Sequence, residues 1–99
     1  ADMAYCIGRL CGGAAALRGE PEKARGYYQQ AIEICEKVRF RPELALTQLE
    51  IAELLLEDAN AARRTEALQH LDFAIAEFRE MKMQPSLERA LRHKDVLKA

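Results

Sequence analysis

The sequence has no apolar run long enough to cross a bilayer, no excess charge of either sign and no paired cysteines. Its longest small, apolar run, Cys11 to Leu17, falls far short of the ~20 residues that a spanning helix needs. Asp2 and Arg9 interrupt the N-terminus, which does not read as a signal peptide. The formal net charge is −1, so no overall field draws the chain to nucleic acid or to an anionic membrane. Cys6, Cys11 and Cys35 are an odd count without CxxC, and His70 and His93 supply no pair at zinc spacing. Buried thiols in a reduced, cytoplasmic setting are the economical reading, and no metal or cofactor is expected. Gly8 to Gly13 contains no GxGxxG and follows no strand, which excludes a dinucleotide fingerprint. No Ser/His/Asp or Cys/His arrangement stands out, and the carboxylates are scattered over helix faces, so an enzyme is not expected.

What is present is regular. At 99 residues, 49% hydrophobic and 31% charged, the chain reads as one globular domain with a modest core. Its two ends look like those of a piece excised from a larger protein. Ala24, Tyr28, Ala31, Ile32, Cys35, Val38, Pro42 and Leu44 recur after 43 residues as Ala67, Leu71, Ala74, Ile75, Phe78, Met81, Pro85 and Leu87. Each position is apolar or proline in both copies, the mark of stacked supersecondary units.

The apolar periodicity predicts five helices and no strand. Helix one spans about Asp2 to Arg18, with Asp2 as N-cap and Ala4, Ile7, Cys11 and Ala14/Ala15 facing inward. Gly8, Gly12 and Gly13 inside it each cost roughly 1 kcal/mol against alanine, which close approach by a neighbouring helix would offset. Gly19 and Pro21 stop that helix and start the next, which runs to about Arg39 on a seam of Ala24, Tyr28, Ala31, Cys35 and Val38. Helix three, Glu43 to about Glu57, is apolar round most of its circumference and must be sandwiched. Asn60 is a candidate cap for helix four, from about Ala61 or Arg63 to Lys82, whose seam is Ala67, Leu71, Ala74, Phe78 and Met81. Ser86 could cap helix five, Leu87 to Lys98, with Arg89, Arg92, His93, Lys94 and Lys98 on a basic side. The fold class expected is all-α: two antiparallel helix hairpins (about 2–41 and 42–84) and a C-terminal capping helix (about 86–98).

The chain resembles a divergent tetratricopeptide repeat, whose pattern is W-x2-L-G-x2-Y, then A-x3-F and P, over 34 residues. Gly8, Cys11, Gly12 and Ala15 hold the first set of positions in unit one, and Gln48, Ile51, Ala52 and Leu55 hold it in unit two. Ala24-x3-Tyr28, Ala31 and Pro42 hold the second set, echoed by Ala67-x3-Leu71, Ala74 and Pro85. Of the first set only Gly12 is the family residue, and the period is longer, 40 from Gly12 to Ala52 and 43 from Ala24 to Ala67, the extra three residues falling in the Asp58–Ala62 loop. Long repeats of this kind resemble those of large bacterial regulators that join an ATPase module to a cyclase-homology or DNA-binding domain. The tail from Glu80 to Ala90 is similar to their closing segment.

The resemblance implies a concave groove that binds a protein or peptide. Carried over residue by residue, it is lined by Cys6, Arg9, Leu10, Gly13, Ala16 and Leu17 of helix one and by Leu46, Leu49, Glu50, Glu53, Leu56 and Glu57 of helix three. An apolar floor with three carboxylates would suit a partner helix carrying leucine with lysine or arginine. Neighbouring domains of a parent protein, further repeats or a second copy could fill the same groove. A purely structural stack that caps a solenoid is the alternative. A third reading, nucleic acid on the basic side of helix five, lacks the interleaved aromatics that stack on bases.

Overall fold

The computed structural model describes residues 4–38, 40–57 and 60–98, without the side chains of Ala4, Tyr5, Cys6, Val38 and Lys98. Among the described residues every regular element is helical: α1 (Ala4–Leu17), α2 (Pro21–Val38), α3 (Arg41–Leu55), α4 (Ala61–Met81) and α5 (Gln84–Lys98). The expected cap at Asp2, the helix end at Arg39 and the loop residues Asp58 and Ala59 lie outside the described residues.

The repeated seam is the core. Ala24, Ala31 and Cys35 of α2 and Ala67, Leu71, Ala74 and Phe78 of α4 have no exposed surface, and Tyr28 is 2% exposed. These positions alternate steps of four and three residues, so each helix turns a single stripe inward. α3 lies between the stripes, with Ala45, Leu49 and Ala52 wholly buried. α1 packs most extensively on α2, and α3 on α4; α2 bridges to α3, while α5 lies on α4 and touches α3. α1 also touches α3, so the odd-numbered helices meet in sequence along one side. The molecule measures 41 × 32 × 19 Å, the last the depth of two helix layers at ~10 Å each.

Ion pairs tie the two hairpins to each other and α3 to α4 within the second. Arg25 of α2 donates to Glu66 of α4 at 2.8 Å, and Arg41 grips Glu77 with two bonds of 3.0 and 2.8 Å. Asn60 caps α4 by accepting from the Ala62 amide at 2.8 Å.

Turn chemistry shifts two expected boundaries. α3 starts at Arg41 and α5 at Gln84, before the prolines rather than after them. Pro42 and Pro85 sit in the first turn, where a missing N–H loses no helical bond, so they open helices as Pro21 does. Met83, not Ser86, therefore precedes α5, and its carbonyl accepts from Leu87 at 2.9 Å. α4 ends on a left-handed residue, Lys82 (φ 58°), with Met83 N–H on the Phe78 carbonyl and Lys82 N–H on that of Arg79. Gly19 (φ 73°) closes α1 with the same pair of bonds, Glu20 to Ala15 and Gly19 to Ala16.

The inward face of α1 differs from the one expected. Ile7 is 53% exposed and Ala14 is exposed, while Gly12 and Ala15 are buried and Gly8 and Cys11 half-buried. The glycines decide this. A methyl on Gly12 would come within 2.9 Å of Tyr28 Cζ, and one on Gly8 would meet the Ala31 methyl at 3.0 Å. α1 therefore turns its backbone, rather than its large side chains, toward α2.

Gly12 and Gly26 make an internal control, because a methyl on Gly26 meets nothing within 4 Å. Gly26→Ala should stabilise the fold by about 0.5–1 kcal/mol through helix propensity. Gly12→Ala should destabilise it by about 1–2 kcal/mol, since overlap with a buried ring outweighs the same propensity gain. Urea denaturation of the two variants reads both signs, and a Gly12→Ala chain as stable as the parent would refute the tight ring contact.

Candidate functional site

α1, Tyr28 of α2 and α3 enclose an open cleft of about 530 Å³. α1 contributes Arg9, Leu10, Gly13, Ala14, Ala16 and Leu17 as one wall, and α3 with the turn after it contributes Glu50, Glu53, Leu54 and Glu57 as the other. The structure thus brings together eight of the expected groove residues: Arg9, Leu10, Gly13, Ala16, Leu17, Glu50, Glu53 and Glu57. Leu49 is not among them; it has no exposed surface and belongs to the core. Leu46 and Leu56 are half-buried against that core and do not line the cleft. The Cys6 side chain lies outside the described set. Ala14, Tyr28 and Leu54 line the cleft without having been expected there.

The polar groups are already engaged with one another. Arg9 Nη1 donates to Glu50 Oε2 at 2.7 Å, and Arg9 Nε donates to Glu43 Oε2. Tyr28 Oη donates to the other Glu50 oxygen at 3.1 Å. Burial works against the Arg9 charge, but the hydrogen bonds and negative charges of Glu43 and Glu50 outweigh it and hold the guanidinium above its ordinary pKa. Burial, followed by the charge and hydrogen bond of Glu50, likewise raises the Tyr28 phenol, which stays protonated.

Glu53 is held from the other side. Arg89 Nε donates to Glu53 Oε2 at 2.7 Å, Arg89 Nη2 to Oε1, and His93 Nε2 to Oε2 at 2.8 Å. Burial pushes the Glu53 carboxyl up, but the hydrogen bonds from Arg89 and His93 win, and it lies below the usual range. Among the described residues only Glu57, exposed just beyond α3, shows no partner for its carboxylate of the three expected in the groove. The cleft is apolar with one free acid rather than acidic.

The same bonds dismantle the basic side of α5. Arg89 and His93 are spent on Glu53, and Lys94 donates to Asp72 at 2.7 Å; Arg92 is exposed, and the Lys98 side chain lies outside the described set. His70 is half-buried against Gln48 and Glu66; desolvation lowers its pKa, only partly offset by Glu66. Cys35 is fully buried and Cys11 half-buried. Among the described residues no helix is long and apolar enough to cross a membrane, and no group of three or more His, Cys, Asp or Glu is placed to hold a metal ion.

The pairing of Arg9 with Glu43 was missed in the sequence, although two signals pointed to it. Arg9 is the one charged residue in the whole of α1. Glu43 and Glu50 are seven residues apart, on one face of α3, and Glu43 is 3% exposed. Comparison with protein-family models, with curated proteins and with solved structures finds no match to this chain.

Removing the guanidinium would take from the buried Glu43 carboxylate the cation that bonds it from α1. Arg9→Met should cost about 2–4 kcal/mol, and adding Glu43→Gln should recover at least half of that. Additive losses in the double-mutant cycle would show that the pair is not coupled. Glu53 gives a pH test. Its folded pKa lies below the 4.5 of the free side chain, so its contribution is complete above that pH and is lost as pH falls through the folded value. The melting temperature should therefore drop more steeply below pH 4.5 in the parent than in Glu53→Gln; equal slopes would refute the assignment.

Proposed function

We propose that the chain is a divergent tetratricopeptide-like module, part of a larger bacterial regulatory protein, that binds a protein partner without catalysis. One observation carries the reading. Leu10 and Leu17 stand 62% and 92% exposed on the wall of a cleft whose polar groups, apart from Glu57, are satisfied internally. Exposed leucines beside a preformed apolar cleft mark an interaction site, because leaving them in water costs roughly 1.5–3 kcal/mol per side chain. Support for the repeat comes from the buried seams that recur after 43 residues and from the contact of α1 with α3 and of α3 with α5. The partner is an amphipathic helix with an apolar stripe and a single cation placed for Glu57. The multiply basic helix that three free carboxylates would attract does not fit, since Glu50 and Glu53 have internal cations.

A capping role at the other end is favoured by a separate observation. Glu88, Arg92 and Asp95 of α5 are exposed and charged where α3, 43 residues earlier, has the fully buried Ala45, Leu49 and Ala52. A face so charged ends a stack rather than continuing it.

The cleft is tested by titrating a fluorescent, leucine-striped helical peptide carrying one lysine. Saturable binding should weaken about tenfold in Ala16→Arg, which fills the cleft, and also in Glu57→Lys, which reverses its charge; tenfold corresponds to ~1.4 kcal/mol. Binding that ignores both substitutions sinks the assignment. Leu49→Glu is no test, because that side chain lies in the core.

A further inference from the structure

The two acids held in the cleft wall are not held alike. Glu50 is bound from inside the site: Arg9, 22% exposed, belongs to the opposite wall, and the second Glu50 oxygen accepts from Tyr28. Glu53 also lines the cleft, but its carboxylate is occupied from elsewhere. Arg89 and His93 are on α5, line no part of the cleft, and stand 43% and 34% exposed. The Arg89 guanidinium is held above its ordinary pKa by its bonds to Glu53, against desolvation, and the charges of Glu50 and Arg9 reach it as well.

These two side chains can be withdrawn without dismantling the site. α5 keeps its seat through Leu87 and Ala90 in the core and through Lys94 on Asp72 of α4. α1, the other wall, does not pack on α5 among the described residues. Arg9 offers no such freedom, because it closes the cleft and also bonds the buried Glu43.

Glu53 and Glu57 are four residues apart, and both line the cleft. Four residues is also the spacing at which a helix presents two lysines side by side.

We propose that Arg89 and His93 set the charge selectivity of the cleft from behind: they hold it to a partner helix with one cation, and their withdrawal admits a helix with two cations four residues apart. The inference rests on the reading of the cleft as a partner's site and gives that site two positioning residues on a helix that does not line it. They act through Glu53 and touch no partner. Bonds between partly exposed charges are individually weak, so a partner's second lysine returns about what it displaces. In the parent that lysine gains nothing, since each new bond to Glu53 costs an old one. Without the cations of α5 there is nothing to displace, and the second lysine adds affinity.

Fluorescence titration of the full chain with leucine-striped helical peptides tests this. One peptide carries a single lysine, and two others carry a second lysine four residues before or after it. The parent should bind all three within about twofold. Arg89→Gln/His93→Gln should bind one of the two-lysine peptides about fivefold tighter than the one-lysine peptide. Adding Glu53→Gln should abolish that preference. Arg89→Gln alone, the milder change, should show it more weakly, and Arg89→Lys, which returns a cation to Glu53, should behave as the parent does. Helicity by circular dichroism should be kept in each. Lost stability alone would weaken all three peptides together, so the ratio of affinities isolates selectivity from folding. A parent that already prefers two lysines overturns the inference, as does a double variant without the preference or a preference that survives Glu53→Gln. If the one-lysine peptide binds and no preference emerges, the cleft reading stands and only this inference falls; if no peptide binds any form, both fall.

Discussion

The contact on which the molecule depends is that of the Tyr28 ring with the backbone of Gly12. It draws α1 against α2 closely enough that no side chain fits at the crossing, and it aims the phenol at Glu50 of α3. Glu50 in turn shares Arg9 with Glu43, so one ring sets the relation of three helices. Tyr28 is the point where an apolar seam acquires a polar end. Its body fills the first hairpin, while its hydroxyl donates to the Glu50 carboxylate of the next. A phenylalanine there would fill the same volume and leave Glu50 with one fewer donor.

That arrangement explains what could be read from the residues and what could not. The seams of α2 and α4 were legible because their period is carried by alanines and large apolar residues with nothing to contradict it. The inward face of α1 was not, since glycine contributes no hydrophobic signal. Periodicity followed Ile7 and Ala14 outward when the packing surface was backbone. The sequence reading starts helices three and five after Pro42 and Pro85, although positions inside a first turn are consistent with the Gly-Glu-Pro start recognised at Pro21.

The cleft shows the same division. Eight of its lining residues follow from matching helix positions, because position along a helix fixes which side a residue faces. Its chemistry does not follow, because charge pairing joins residues 34 to 41 positions apart and no local pattern declares it. Glu50 and Glu53 looked like a partner's binding charges. Each is instead the hub of an internal network, Glu50 to Arg9 and Tyr28, Glu53 to Arg89 and His93.

Those networks alter what the cleft can recognise. A cation brought by a partner to Glu53 would have to displace a guanidinium held by two bonds, exchanging one ion pair for another with little net gain. Affinity must then come from apolar area on α1, and electrostatic register from Glu57 alone. The same neutralisation ties α1 to α3 through Arg9 and α5 to α3 through Arg89 and His93. Loosening the first of these ties would widen the cleft and expose an acid at once. The shape of the site and its polarity are therefore a single property, and a substitution that changes one changes the other.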